Sequence, residues 1–462
     1  MIQTECGIFT VISQKTIDST LSIKNLSKLQ HRGRESFGLS WFDTSFNNFA
    51  VSKHMGIITQ QHTTPFTDSS NNIIFSKIWL GHLRYSTSAA VQTIHHSQPI
   101  LSIIHNYSLA HNGNIPSHVW PIISNKHSFI IPTNDVTDSF ILSLFINHLL
   151  NNNIQWPDVI KTIIQDIPGV YSLVIITPNN TFICRDRFGI RPMSYLHHNN
   201  SFYIASETTA INSYNTNIND ILPGQVISID NNTLSTQIIY HYGQTNYKFC
   251  IFEFIYFMRD DSTVNSLSVK NFKHNIGTIL AKQFISNNII DISNTLICGV
   301  PQSGIGYATA FANQINANYL QFLQRNTHYP WRTFILKTNK QRLQACKQKY
   351  IIANDITNKS VVLVDDSIVR GNTLKHLISL IKSYSPKHIH FVVASPPIKY
   401  TCHYGVDFAD VEDLVANKMT VSQMVSHYGF DSLTYLNIDS IQNIPSAKNN
   451  FCNACFTGNY LF

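Results

Sequence analysis

The stretch VVLVDDSIVRGNT, from Val361 to Thr373, predicts the fold of the second half of this chain. Four apolar, mostly β-branched residues run directly into Asp365 and Asp366, and helical apolar spacing begins at Leu374. A continuous apolar run of this kind is typical of a strand buried in a parallel sheet. Ligands of open α/β sheets bind at the carboxyl ends of such strands. The two aspartates are therefore candidate site residues.

The residues after the aspartates favour a phosphate-binding loop. Ser367 to Thr373 opens a helix, so its backbone N–H groups can surround a phosphate. The carboxylates of Asp365 and Asp366 can then reach sugar hydroxyls or a hydrated metal ion. These features together indicate a site for ribose 5-phosphate. The alternative is an ordinary strand–turn–helix unit with a solvated acidic turn, but paired acids rarely end a buried strand without a function.

Composition limits the class of protein. A chain of 462 residues suggests two or three domains, and 43% hydrophobic residues can form sizeable cores. The net charge of +7 is modest and suits anionic substrates. The sequence has no long basic run, so it indicates neither nucleic acid nor membrane-surface binding. The N-terminus has no signal-peptide pattern, and no run reaches the roughly 20 apolar residues of a spanning helix. We expect a cytoplasmic protein whose 8 cysteines serve catalysis or metal binding rather than disulfides.

The first half of the chain reads as short strands separated by turns. This pattern, from residue 6 to about 238, predicts a layered α/β domain with antiparallel sheets, and helices near Thr16–Leu29 and Val136–Leu150. Cys6 stands directly before the first strand. If residues 1–5 are removed, its own α-amine can act as base for the thiol. A cysteine near an N-terminus is, taken alone, more often unreactive.

Four polar, glycine-rich motifs follow Cys6 in order: LQHRGRESFG, GHLRYST, AHNGN and RDRFGIRP. Asn-Gly in AHNGN is by itself a hairpin-turn signal. The set and its order resemble the glutamine amidotransferase domain of the N-terminal-nucleophile class. VVLVDDSIVRGNT resembles the phosphoribosyl-diphosphate (PRPP) motif of type I phosphoribosyltransferases. With CIFEFIYF, PQSG, SPPIKY and CNACFTGNY, the chain from Cys6 to about Tyr460 resembles the glutamine PRPP amidotransferase, or amidophosphoribosyltransferase, family.

The resemblance implies an α+β and α/β protein. An N-terminal-nucleophile hydrolase sandwich with αββα layers would precede a type I phosphoribosyltransferase domain with a parallel sheet. Residues 1–5 would be a propeptide, 6–238 the glutamine amidotransferase domain and 239–462 the phosphoribosyltransferase domain. The implied enzyme hydrolyses glutamine and transfers the ammonia to PRPP, releasing diphosphate and forming 5-phosphoribosylamine, the first step of de novo purine (IMP) biosynthesis. A homo-oligomer, a tetramer by family, with purine nucleotide inhibitors is also implied.

In the first half, the resemblance makes Cys6 the nucleophile. Arg84 would hold the α-carboxylate of glutamine and Asp138 its α-ammonium group. The oxyanion hole would combine a side-chain amide with a backbone N–H. An acid usually follows the ammonium-binding aspartate in this family, where Phe140 stands here, and Asp135 competes with Asp138 for that role. The implied glutamine-binding residues are Arg84, Tyr85, Asn112, Gly113 and Asp138.

In the second half, PQSG would receive the diphosphate, although Gln302 replaces the usual aspartate of that loop. The basic stretch Arg325–Lys349 would be a loop that closes over PRPP, whereas the alternative is a solvated basic surface. The implied PRPP-binding residues are Ser303, Gly304, Arg332, Lys349, Asp365, Asp366, Ser367, Arg370, Gly371, Asn372 and Thr373. The implied Mg²⁺ ligands are Ser303, Asp365 and Asp366.

Two of the cysteines form a C-x-x-C pair at the end of the chain, a weak signal that also fits redox chemistry or zinc. Thiolates without partner histidines suit either Zn²⁺ or an iron–sulfur cluster. The resemblance is to the branch that has a cleaved propeptide and a [4Fe–4S] cluster. Cys184 and Cys298 lie in apolar strands and are predicted to be inert. The implied cluster ligands are Cys250, Cys402, Cys452 and Cys455.

Two other functions stay open. One is a glutamine-dependent enzyme with an altered transferase half, against which CIFEFIYF and SPPIKY argue. The other is a non-catalytic sensor of PRPP or a nucleotide, since this fold also hosts binding proteins. A sensor would be expected to lose Cys6 or one of the paired aspartates, whereas this sequence retains Cys6 and both aspartates.

Overall fold

The computed structural model describes residues 6–85, 93–132, 136–214, 217–243, 247–326, 350–406, 408, 410–441, 444 and 450–462. The first half contains two antiparallel sheets. One sheet has seven strands in the order β11-β9-β10-β1-β4-β2-β3, and the other has six in the order β13-β12-β8-β7-β6-β5. The strands are β1 (Gly7–Ile17), β2 (Ser36–Asp43), β3 (Asn48–Met55), β4 (Ser76–Arg84), β5 (Ile100–Ser102), β6 (Tyr107–Asn114), β7 (Val170–Ile176), β8 (Asn180–Arg185), β9 (Ser194–His198), β10 (Ser201–Ala205), β11 (Asn219–Asp220), β12 (Gln225–Asp230) and β13 (Thr236–His241).

The two sheets pack face to face with helices on their outer faces. Alternate residues of a strand point to opposite faces of its sheet. Ile8 and Ile12 of β1 therefore face the second sheet, whereas Phe9 and Val11 face the helix α1. The other three helices cover the second sheet, so the predicted αββα sandwich is confirmed. The helices of this half are α1 (Thr20–Ser27), α2 (Val119–His127), α3 (Asp138–Asn151) and α4 (Trp156–Asp166).

Two differences from the predicted elements have local causes. The helix expected from Thr16 begins only at Thr20, because β1 extends to Ile17, which pairs with Ser76 of β4. The sequence reasoning missed α2 and α4, although α4 has a proline in its first turn and apolar residues at helical spacing. The six-stranded sheet of the first half continues to His241, so β13 crosses the expected domain boundary between residues 238 and 239.

The second half is built on a five-stranded sheet in the order β18-β17-β21-β22-β23, and each of its strand pairs is parallel. Its remaining strands form short pairs. The strands are β14 (Phe249–Cys250), β15 (Thr263–Val264), β16 (Leu267–Ser268), β17 (Thr295–Gly299), β18 (Asn318–Tyr319), β19 (Leu323–Arg325), β20 (Tyr350–Ile352), β21 (Ser360–Asp365), β22 (His388–Val393), β23 (Ser432–Tyr435) and β24 (Phe451–Cys452). The helices are α5 (Val269–Asn287), α6 (Ile305–Ile315), α7 (Asn372–Lys382), α8 (Val415–Lys418), α9 (Val421–Tyr428), α10 (Ile438–Ile441) and α11 (Ala454–Thr457).

Helices cover both faces of the parallel sheet. Val362 and Val364 of β21 pack in the cluster that contains α5 and α6, whereas Val361 and Leu363 pack with α7 and α9. Burial on both faces is the reason that β21 is a continuous apolar run rather than an alternating one. The strand order reverses direction between β17 and β21, which is the point where open α/β sheets bind ligands. The predicted parallel-sheet domain is confirmed.

A short segment joins the halves. It runs from β14 through a single π-helical turn, Glu253–Phe257, whose residues are largely buried. β14 pairs in parallel with β24, so the start of the second half and the end of the chain meet. Among the helices in the described ranges, none has both the length and the apolarity to cross a bilayer.

Helix α5 approaches α6 closely at Gly277, where an added Cβ would lie 2.4 Å from the carbonyl oxygen of Tyr307. We expect Gly277→Ala to destabilise the protein by about 1–3 kcal/mol, because overpacking outweighs the helix propensity of alanine. Gly306→Ala in α6 is the matched control, since its Cβ would have no neighbour nearer than 3.8 Å. Urea unfolding followed by circular dichroism measures both. A Gly277→Ala protein as stable as its parent would contradict this packing.

Candidate active sites

Cys6 lies directly before β1, at the end of an interior strand of the first sheet. Gly7, which follows it, pairs with Leu83 of β4. The Cys6 thiol donates a weak hydrogen bond to the carbonyl oxygen of Tyr85, at 3.8 Å, and Arg32 Nε donates to the carbonyl oxygen of Cys6 at 2.9 Å. The strand pairing therefore places the predicted nucleophile beside the end of β4, where Arg84 and Tyr85 lie.

A side-chain hydrogen-bond donor near the end of β6 has no acceptor among the described residues. The side chain of Asn112 is buried, and its Nδ2 has no hydrogen-bond partner within the described part of the chain. A buried polar group without a partner costs free energy and calls for an explanation, and a missing ligand is one. At Gly113, an added Cβ would lie 1.9 Å from the carbonyl oxygen of Val170, so glycine is required for this close backbone approach. Both features fit the predicted oxyanion hole.

Buried polar side chains around His111, the residue before Asn112, form a hydrogen-bonded network. His111 Nδ1 shares a hydrogen bond with Ser139 Oγ at 2.9 Å, and Gln98 Oε1 accepts from the backbone N–H of His111 at 2.7 Å. His82 Nε2 bonds the carbonyl oxygen of His111 at 3.0 Å. Burial lowers the pKa of His111, and lowers that of His82 to about 3. Both imidazoles are therefore neutral near pH 7 and hold β6 in place.

The guanidinium of Arg84 is nearly buried and pairs with Glu35, with Nη1 2.6 Å from Oε1. Glu35 precedes β2, and its backbone N–H donates to the carbonyl oxygen of Arg84. Sequence reasoning assigned no role to Glu35. This carboxylate orients the guanidinium that is predicted to bind the α-carboxylate of glutamine.

Asp138 is the first residue of α3. Its Oδ2 accepts from the backbone N–H of Ile115 at 2.9 Å, and its Oδ1 accepts from that of Ser139 at 2.7 Å. About a quarter of the Asp138 side chain is exposed. The carboxylate is thus fixed by the helix start and is still accessible to a ligand. Phe140 is exposed, and the competing Asp135 lies outside the described residues.

In the second half, two loops meet where the strand order of the sheet reverses. The loop after β17 contains Ser303 and Gly304, and Ser303 Oγ donates a short hydrogen bond to Asp366 Oδ2. An added Cβ at Gly304 would lie 2.1 Å from the carbonyl oxygen of Val364 in β21. Glycine there lets the two loops approach at the backbone level. The predicted diphosphate loop and the predicted acidic loop are therefore in direct contact.

The paired aspartates have different environments. Asp366 is buried, accepts from the hydroxyl of Ser367, and has its pKa raised by that burial. Asp365 is less buried, and its Oδ1 accepts from the backbone N–H of Asp366 at 2.9 Å. A buried carboxylate surrounded by hydroxyls and next to a second carboxylate is a donor set that suits Mg²⁺ or ribose hydroxyls.

The N-terminus of α7 follows the acidic pair. Gly371 caps it at φ +71°, and an added Cβ there would lie 1.9 Å from the hydroxyl oxygen of Tyr428. Glycine alone combines this left-handed conformation with that contact. Asn372 is the first helical residue, and Arg370 lies 3.8 Å from Asp413 at the surface. Arg332, Lys349 and the side chain of Thr373 lie outside the described residues.

Sequence reasoning missed Tyr256 as a neighbour of this site. Burial raises the pKa of Tyr256, and the nearby charges of Asp366 and Asp365 raise it further. The Tyr256 hydroxyl is therefore near enough to the paired aspartates for their charges to act on it. Within CIFEFIYF, Phe252 and Phe254 are buried in the core of the second half, whereas Tyr256 is half-buried and packs against it.

The four predicted cluster ligands converge from three parts of the chain. Cys250 of β14 lies opposite Cys452 of β24. Burial raises the pKa of the Cys455 thiol, and the neighbouring Cys402, Cys250 and Cys452 raise it further. The backbone N–H groups of Lys399 and Tyr400 donate to the carbonyl oxygen of Cys455. Cys250, Cys452 and Cys455 are buried in one core cluster and the half-buried Cys402 packs against it, so a cation bound among them would stabilise the thiolate form that binds metal.

In the described ranges, no three His, Cys, Asp or Glu side chains are arranged as ligands of a single metal ion. The [4Fe–4S] cluster and the Mg²⁺ site therefore stay predictions. Cys184 and Cys298 are buried in the core, and burial raises the pKa of Cys298 to about 12. Such thiols are unreactive at neutral pH.

The fold and the two sites define a class: a two-domain enzyme with a glutamine-hydrolysing half and a phosphoribosyltransferase half. Residues 82–213 match the glutamine amidotransferase domain family, and residues 267–401 match the phosphoribosyl transferase domain family. The chain is 30% identical to the amidophosphoribosyltransferase of Methanocaldococcus jannaschii, over 98% of this chain and 97% of that protein. It is also 30% identical to that of a Synechocystis species, over 98% and 90%.

Solved structures agree. The glutamine PRPP amidotransferase from B. subtilis complexed with ADP and GMP superposes with a TM-score of 0.82 at 26% identity, covering 99% of this chain and 97% of that chain. The chain belongs to the amidophosphoribosyltransferase family. The predicted activity, glutamine-dependent amination of PRPP at the first step of purine biosynthesis, is thereby confirmed.

The buried histidines predict a pH dependence of stability. His82 has a pKa of about 3 in the folded chain and an ordinary value near 6.5 when unfolded. Between these values the unfolded state binds one more proton, so stability is lost as the pH falls below about 6.5, by at most about 1.4 kcal/mol per pH unit. We expect His82→Gln to flatten the dependence of unfolding free energy on pH between 6.5 and 4. Denaturant titrations at several pH values test this, and an unchanged slope would contradict it.

Proposed function

We propose that the residues described above carry out the two half-reactions of glutamine-dependent PRPP amination. The observation that carries this assignment is that one turn is hydrogen-bonded to the first site and lies within electrostatic range of the second. Glu253, at the start of the turn, pairs with Arg32, which holds the backbone of Cys6. Tyr256, three residues later, is near enough to Asp365 and Asp366 for their charges to raise its pKa. Ammonia released at the first site is therefore produced close to the segment that borders the second.

In the first half-reaction, the thiol of Cys6 attacks the side-chain amide carbon of glutamine. Its proton passes to the α-amine of Cys6, once residues 1–5 have been removed, and then to the departing ammonia. The Asn112 side-chain amide and the Gly113 backbone N–H donate to the oxyanion. Water then cleaves the thioester and releases glutamate. Arg84, with Tyr85 beside it, binds the α-carboxylate, and Asp138 binds the α-ammonium group.

In the second half-reaction, ammonia displaces diphosphate from C1 of PRPP. Asp365 and Asp366 hold the ribose hydroxyls, and Ser303 and Gly304 receive the diphosphate. The loop from Ser367 to Thr373 binds the 5-phosphate at the N-terminus of α7. We assign Arg332 and Lys349 to the closing loop over PRPP. Mg²⁺, held by Ser303, Asp365 and Asp366, would neutralise charge on the leaving diphosphate.

Regulation, assembly and location are proposed from the family. The B. subtilis relative was solved with ADP and GMP, which supports purine nucleotides as inhibitors of this chain. We propose a homotetramer in the cytoplasm. A [4Fe–4S] cluster on the four convergent cysteines would tie β14, the segment at Cys402 and the C-terminal tail together. Metal sites that close long loops contribute folding free energy directly.

Paired substitutions separate the two half-reactions. We expect Cys6→Ala to abolish glutamine-dependent synthesis of phosphoribosylamine and to spare synthesis from added ammonium salts, because the second site is untouched. We expect Asp366→Asn to lower both syntheses by about 10²-fold or more and to spare glutamate release, since it alters charge only at the ribose site. Steady-state assays of glutamate and phosphoribosylamine measure both. Glutamine use by Cys6→Ala, or unchanged synthesis by Asp366→Asn, would refute the assignment.

The cluster proposal has a matched control within the chain. Anaerobically purified protein should be brown and contain about four irons per chain. Cys455→Ser should lower iron content, because it removes a ligand. Cys184→Ser replaces another buried thiol, in β8, and should leave iron content unchanged. Iron analysis and absorption spectra measure this. A colourless active protein with one zinc per chain would overturn the cluster but keep the ligands.

A further inference from the structure

A buried network of charges joins the two halves directly behind Cys6. Arg32 and Glu207 belong to the first half, and Glu253 belongs to the π-helical turn that opens the second. All three side chains are buried. Arg32 Nη1 lies 2.6 Å from Glu207 Oε1 and 3.0 Å from Glu253 Oε2, and its Nη2 lies 2.8 Å from Glu253 Oε1. Arg32 and Glu253 are thus paired through two parallel hydrogen bonds.

The same guanidinium holds the main chain of the nucleophile. Its third nitrogen, Nε, donates to the carbonyl oxygen of Cys6 at 2.9 Å. A guanidinium is planar and rigid, so its nitrogens cannot move independently. The position of the Glu253 carboxylate therefore fixes the position of Nε, and with it the backbone of Cys6. A misplacement of about 1 Å can cost a reacting group on the order of 10²-fold in rate.

Arg191 and Glu207 connect the Arg32–Glu253 pair to further residues of the second half. Arg191 Nη1 lies 3.5 Å from Glu253, and its Nη2 donates to the carbonyl oxygen of Tyr404, deep in the second half. Glu207 Oε2 accepts from the backbone N–H of Arg259 and from the hydroxyl of Ser262. The network therefore binds the segment after Glu253 as well as Glu253 itself.

We propose that Glu253 is a positioning residue for glutamine hydrolysis. A side chain of the transferase half sets, through Arg32, the place of the nucleophile in the other half. Glutamine hydrolysis then depends on a correctly seated junction, while the use of free ammonia does not. The inference rests on the proposed role of Cys6 as nucleophile.

The test uses the full-length enzyme with Glu253→Gln, which keeps the shape of the side chain and removes its charge. We expect kcat for glutamine-dependent synthesis to fall about 10–100-fold, with the KM for glutamine within about 3-fold of the parent. Ammonium-dependent synthesis should stay within about twofold, because the PRPP site is unchanged. The rate at which iodoacetamide alkylates Cys6 should also change, which reports on the thiol without turnover.

Two further variants sharpen the result. Arg32→Lys keeps the positive charge but lacks the planar fork, and it should show the same separation of the two activities. Asp261→Asn is the matched control. Asp261 is a carboxylate of the same linker, and it accepts hydrogen bonds from Thr209 of the first half and from Arg259. It should behave like the parent in all three measurements.

Three outcomes would overturn the proposal. An equal fall in glutamine- and ammonium-dependent synthesis would show that Glu253 only stabilises the fold, and unchanged glutamine-dependent kcat would show that it does not act on Cys6. The same separation in Asp261→Asn would make it a general effect of the junction. If Glu253→Gln does not fold, Glu253→Asp, which retains the charge and withdraws the carboxylate, is judged on the same criteria. Glutamine use by Cys6→Ala would instead refute the nucleophile itself.

Discussion

Arg32, held between Glu207 and Glu253, is the interaction on which the arrangement of the two halves depends. A buried charge is costly unless it is paired and hydrogen-bonded. Here the guanidinium of Arg32 donates to the carboxylates of Glu207 and Glu253 at 2.6 and 2.8 Å, and that of Arg191 lies 3.5 Å from Glu253. Removing one member of a buried pair typically costs about 3–5 kcal/mol. The halves therefore cannot separate at this point without leaving an uncompensated charge.

Close backbone approach is the second constraint, and it explains why both sites contain glycine. A side chain at Gly113 would collide with the carbonyl oxygen of Val170, and one at Gly304 with that of Val364. The first contact places the main chain at Gly113 against β7, and the second brings the loops after β17 and β21 together. The two carbonyl groups belong to paired strands, so strand pairing fixes the main chain of both candidate sites.

Much of the fold was predictable from local patterns. The strand predicted from the apolar run before Asp365 and the helix predicted from the spacing after Leu374 both follow from periodicity, and the structure contains them as β21 and α7. The AHNGN motif, by contrast, was equally compatible with a hairpin turn, whereas Asn112 and Gly113 lie within β6. Asn-Gly is a turn signal only when the chain reverses there, and pairing with β7 keeps it extended.

The sequence by itself determined the chemistry: a thiol before a strand, two aspartates at the end of another, four cysteines without histidine partners, and motifs in an order that resembles one family. Those features are local, so composition and spacing report them. Only the tertiary structure decided which groups touch. Glu253 is 221 positions from Arg32, and Tyr256 is more than 100 positions from the aspartates whose charges raise its pKa, so neither proximity has a signature in spacing. The Arg32–Glu253 pair forms because a buried junction must pair its charges, and that requirement appears only once the chain is folded.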